Sequence, residues 1–114
     1  MSRIRAPAVA GMFYPENPAE LHEMVTGFLE QAEEGPAPKA LIAPHAGYVY
    51  SGPIAASAYR RLTEVRNRIR RVVLLGPSHR VPFLGLAVST ADTFRTPLGD
   101  IPLDTDAIQD PPEP

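Results

Sequence analysis

The chain has 114 residues, enough for one ordinary domain and too few for two. Its net charge of −2 carries no bulk bias toward nucleic acid or an acidic membrane, and without cysteine it has no disulfide, thiolate ligand or thiol nucleophile. No run approaches the roughly 18 apolar residues of a membrane span, and the N-terminal "MSRIRAPAVAGMFYP" lacks the sustained apolar segment of a secretory signal. No nucleic-acid or membrane partner is therefore expected, and the cytoplasm is the expected location.

The 14 prolines are spread along the chain and punctuate element ends. Asn17-Pro18 reads as an N-cap followed by proline at the first helical position. Leu21, Met24, Val25, Phe28, Leu29 and Ala32 then recur at helical spacing, with Glu23, Glu30, Glu33 and Glu34 on the other face. Gly35-Pro36 closes this helix. Residues 39–44 form a short apolar run without alternation, which predicts a strand buried on both faces. A second helix is expected from about Ser51-Gly52-Pro53 to Glu64, packing through Ile54, Ala55, Ala58 and Leu62. Arg71–Leu75 predict a second buried strand, and Gly85–Ser89 a third.

Strand, helix and strand across residues 39–75 make a βαβ unit, so the two strands should be parallel with a right-handed crossover. The segment "DTFRTPLGDIPLD" reads as a hairpin, with Thr96-Pro97-Leu98-Gly99 suited to a type I turn. Asp104 or Thr105 caps a final short helix, and residues 107–114, ending in "DPPEP", read as a loose tail. The fold class is α/β: a parallel or mixed sheet with flanking helices, spanning residues 1–114 as one partial domain.

Two histidines stand at equivalent places in this scheme. "KALIAPHAGYVYSGP" puts His45 just past the first predicted strand, and "RRVVLLGPSHRV" puts His79 just past the second. In open α/β sheets ligands bind beyond the C-terminal strand ends. Neighbouring strands lie about 4.8 Å apart, so two imidazoles there can reach one metal ion at about 2.1 Å each. Gly47 and Gly76 would allow close backbone approach, while Tyr48, Tyr50, Ser51 and Ser78 are candidates to line the pocket. His22, at the flank of the first helix's apolar stripe, reads as structural.

Other chemistries fit less well. Ser78 and His79 are adjacent and point to opposite sides of an extended chain, so they do not form a nucleophile–base pair. No GxxxxGK, GxGxxG or HExxH occurs. The arginines of "RRLTEVRNRIRR" fall at a helix C-terminus and the loop after it, where cations suit the dipole and solvent. In the βαβ scheme that loop lies at the edge opposite the histidines.

At these residues the chain resembles the Memo-like family, whose bacterial members are called AmmeMemoRadiSam system protein B. The matching stretches are "RAPAVAGMFYP", "APHAGYVYSGPIAASAY", "LLGPSHRV" and "FRTPLGDIPLD". The resemblance implies a fold similar to the N-terminal part of the class III extradiol ring-cleaving dioxygenases, with His45 and His79 matching two metal-site histidines. Iron or copper is the metal implied, and metal-dependent, dioxygenase-like redox chemistry the activity, in a full-length relative. Animal relatives are linked to cell motility and phosphotyrosine-peptide binding. An alternative is therefore a non-catalytic module for an anionic or phosphopeptide ligand, or an inactive fragment; the small-molecule or peptide ligand is not specified. Family members run to well over twice this length and take a third metal ligand, a cysteine, from their second half. The expectation is thus an N-terminal fragment with a two-histidine half-site, prone to self-association through an exposed sheet edge.

Overall fold

The computed structural model describes residues 2–109 and divides the chain into two compact units, residues 8–71 and residues 1–7 with 72–114. The last residues of the predicted tail, 110–114, lie outside the described residues.

The contiguous unit is helical. Helix α1 spans Pro18–Gln31 and begins as its sequence dictates: the Asn17 side chain accepts from the Glu20 N–H at 3.1 Å, and Pro18 occupies a position whose missing N–H costs nothing. It ends at Gln31, before the expected Gly35-Pro36, with the Ala32 N–H turned back to the Leu29 carbonyl at 3.2 Å. Leu21 is buried at 4% exposure, and Met24, Val25, Phe28 and Leu29 are half-buried beside it. Glu23 and Glu30 face solvent, as the periodicity requires. His22 is exposed, so it is not packed beside the apolar stripe.

Helix α2 spans Tyr48–Tyr59 and continues as a 3-10 segment through Arg60–Val65. It starts three residues before the expected Ser51. Gly47 is its N-cap and makes no side-chain cap, which explains why capping chemistry does not mark this start. Its buried residues are Ser51, Gly52 and Ala56, whereas Ile54 is exposed. The packing face is thus rotated from the predicted stripe toward the smallest side chains. The Phe28 ring of α1 lies where a Gly52 side chain would begin, so glycine is what lets the two helices meet. Glu34 and Arg60 add an ion pair at 2.9 Å between the segments that follow α1 and α2.

The other unit holds the sheet. Strands β1 (Ile4–Arg5), β2 (Thr93–Thr96) and β3 (Gly99–Pro102) lie in the order β1-β2-β3. β1 and β2 are parallel, with Ile4 opposite Thr93; β2 and β3 are antiparallel, with Thr96 opposite Gly99. The predicted hairpin is therefore present. Its turn is held by Thr96, whose hydroxyl donates to the Gly99 carbonyl at 2.8 Å and accepts from the Leu98 N–H at 3.1 Å. Gly99 has φ 139°, a conformation that glycine alone adopts readily. Pro102 falls on an edge strand, where a missing donor is tolerated. A short helix α3 (Thr105–Gln109) follows, with the Asp104 carboxylate accepting from the Ala107 N–H at 3.1 Å. Helix α3 thus takes in residues 107–109.

The fold class is α/β with a mixed sheet and helices, as expected, but the strands are not those predicted. Residues 39–44, 71–75 and 85–89 form no strand, and the βαβ unit is not made. Ile42 is fully exposed, and Val73 and Leu74 are 87% and 78% exposed. The physical reason is that an apolar run becomes a buried strand only when another segment pairs its backbone and a layer covers each face. Among the described residues nothing supplies that ladder. Without those strands there is no sheet edge for the arginine run to occupy opposite the histidines. Arg66, Arg68, Arg70 and Arg71 are all exposed.

Candidate functional site

His45 lies in the turn between the extended 40–44 segment and α2, and is exposed. The turn is built from several directions. Pro44 fixes φ on its N-terminal side. Beyond it, the buried Ser51 hydroxyl donates to the Ala46 carbonyl at 2.7 Å and approaches the Gly47 carbonyl at 3.3 Å. The Tyr48 N–H donates to the Phe13 carbonyl at 2.8 Å, and a side chain at Gly47 would stand 3.7 Å from that same oxygen. A Cβ at Gly47 would thus make only ordinary contact with that backbone, and Gly76 has nothing within 4 Å of where a side chain would begin.

The two tyrosines differ. Tyr48 packs its ring on Tyr14, centroids 5.3 Å apart and planes 39° apart, while Tyr50 is 84% exposed. Burial, then the proximity of the Tyr14 and Tyr59 phenols, raises the Tyr48 pKa above its ordinary value. Phe13 and Tyr14 are the contributions that sequence reasoning missed. The signal available was the aromatic pair in "GMFYP", downstream of a glycine that here takes φ 83°.

His79 is also exposed and lies in the other unit, in an irregular bend. Its neighbour Ser78 closes that bend by donating its hydroxyl to the Val81 carbonyl at 2.7 Å. Ser51 and Ser78 thus hold carbonyls of the turns that carry the two histidines. His45 thus belongs to the helical unit and His79 to the sheet unit. Among the described residues, no group of three or more histidine, aspartate or glutamate side chains is arranged to hold a metal ion. No helix among them is long and apolar enough to cross a membrane.

Comparison with known sequences agrees with the motifs. The family described as "Memo-like protein" matches residues 5–111. The chain is 41% identical over 112 residues to MEMO1 family protein MK0963 of Methanopyrus kandleri, a match covering 90% of this chain and 39% of that relative. It is 43% identical over 108 residues to Protein MEMO1 of Danio rerio, covering 93% of this chain and 35% of the relative. Against MEMO1 family protein MJ0403 of Methanocaldococcus jannaschii it is 42% identical over 126 residues, with coverage of 96% and 42%. The chain thus spans between a third and just over two-fifths of the length of these curated relatives. A match of this extent, through both histidine motifs and the hairpin, makes the chain a member of the Memo-like family.

Proposed function

We propose that this chain supplies the imidazole half of a metal site, with His45 and His79 as ligands for iron or copper in a Memo-like protein of dioxygenase-like redox chemistry. The observation that carries the reading is the span of the family match. Residues 5–111 include both proline-terminated apolar runs and the histidine that follows each. The donors fit in kind, because imidazole suits iron, copper and zinc alike. They fall short in number, since the described residues hold no cluster of three ligands and the chain has no cysteine. The metal, when bound, supplies Lewis acidity and one-electron chemistry. The chain's own part is to present two imidazoles on exposed turns.

Titration calorimetry with copper(II), and anaerobically with iron(II), tests this on the wild type, His45→Ala, His79→Ala and a His22→Ala control. Each of the first two substitutions should cost at least about tenfold in affinity, because a single imidazole cannot chelate; His22→Ala should cost nothing. Both variants binding like wild type would refute the site. Phosphotyrosine binding that persists in a chelator would instead favour the anionic-ligand module.

A further inference from the structure

The turn that carries His45 is more firmly held than a surface loop requires. A serine inside a helix ordinarily bonds back to the carbonyl four residues before it. Ser51 does otherwise: its shorter bond, 2.7 Å, goes to the carbonyl of Ala46, next to His45, and the bond to Gly47 is the longer at 3.3 Å. Ser51 is only 7% exposed, and its hydroxyl is engaged with the turn. Residues 9–14 form a second closed turn, with the Gly11 N–H donating to the Tyr14 carbonyl at 2.7 Å and the Phe13 N–H to the Val9 carbonyl at 2.9 Å. That closed turn reaches α2 twice, through the Phe13 carbonyl on the Tyr48 N–H and through the Tyr14 ring on the Tyr48 ring.

We propose that Ser51 and Tyr14 are positioning residues for His45, together holding residues 45–47 so that the turn that carries the imidazole is ordered before any ligand arrives. Ser51 acts through the Ala46 carbonyl and Tyr14 through Tyr48. The inference rests on the reading of His45 as a metal ligand, to which it adds the support that fixes it. Outer partners of this kind matter because a ligand whose backbone is already ordered loses less freedom on binding.

Nitrogen-15 relaxation and copper(II) calorimetry test the clamp on the wild type, Ser51→Ala, Tyr14→Ala and Tyr14→Phe. In the wild type and Tyr14→Phe, which keeps the ring, the amides of residues 45–47 should show the order of a rigid backbone, with order parameters near about 0.85. In Ser51→Ala and Tyr14→Ala they should fall below about 0.6 while the α1 amides stay unchanged. Copper(II) affinity should drop about tenfold in those two variants, the lower end for outer-shell partners, and hold in Tyr14→Phe. Unchanged order at 45–47 in Ser51→Ala, with α1 intact, overturns the proposal. If Ser51→Ala disorders α1 as well, the contrast between Tyr14→Ala and Tyr14→Phe decides it. Copper(II) binding that is equal in wild type and His45→Ala removes the metal reading alone, and the relaxation arm still decides the clamp.

Discussion

Tyr48 shows how much a single side chain draws from residues far along the chain. Its phenol resists ionisation because burial and two neighbouring phenols disfavour the anion. The folded-state pKa therefore lies above the unfolded one, so the contribution to stability is fully present below about pH 10 and is lost as pH rises through the folded value. Absorbance titration near 295 nm should show a late-ionising step for Tyr48, which Tyr48→Phe should remove. Asp100 goes the opposite way: the Arg95 guanidinium, bonded to it at 2.9 and 3.1 Å, holds its carboxyl below the ordinary carboxylate range. The stability of this pair is present above the unfolded carboxylate pKa and is lost as pH falls through the depressed value. In an NMR titration, Arg95→Gln should return the Asp100 midpoint toward about 3.9. The pair lies on an exposed hairpin, so any effect on global melting should be small.

At the scale of elements, what could be read from sequence was what neighbours in sequence decide. Asn17, Pro18 and the 3.6-residue spacing from Leu21 specify α1 locally, and Pro97 with Gly99 specifies the hairpin turn. The start of α2 was not legible, because Gly47 gives no side-chain cap and the Tyr48 N–H finds its partner at Phe13. The histidine motifs were legible as motifs. Their arrangement was not, because it was inferred from strands at 39–44 and 71–75 that have no pairing partner among the described residues. Two substitutions separate these levels. Asn17→Ala should lower the stability of the helical unit by about 1 kcal/mol through loss of the cap. Gly52→Ala should cost about 1–3 kcal/mol, because the new methyl group meets the Phe28 ring and the helices must separate. Urea denaturation followed by far-ultraviolet circular dichroism checks both.

At the scale of the whole molecule, the largest departure from an ordinary domain among the described residues is the apolar side-chain surface left uncovered. Val72, Val73, Leu74 and Leu75 are each more than 70% exposed in succession, and Leu84 and Leu86 repeat the pattern. Extended apolar runs with unpaired backbone are templates for another strand. The chain should therefore associate with itself as concentration rises, and its denaturation should be worth less than about 5 kcal/mol, the lower end for native domains. Leu74→Lys should shift sedimentation toward the monomer without altering helix content. A wild-type chain that stays monomeric at every concentration, with a sharp cooperative melt above that value, would refute the expectation.

The two units also differ in how their chain is threaded, which sets an order of events in time. The helical unit uses one continuous stretch, residues 8–71, whereas the sheet unit draws its first strand from the N-terminus and the rest from beyond residue 71. Ile4 cannot meet Thr93 until nearly the whole described chain has been made and that long loop has closed. Loop closure is an entropic barrier that local helix pairing does not face, so contact order separates the two processes. On a ribosome, α1 and α2 can pair while the N-terminal strand waits for its partner to be synthesised. In pulse-labelled hydrogen exchange during refolding, the α1 amides should gain protection ahead of the amides of β2. The mixed sheet should then acquire structure after the helical unit.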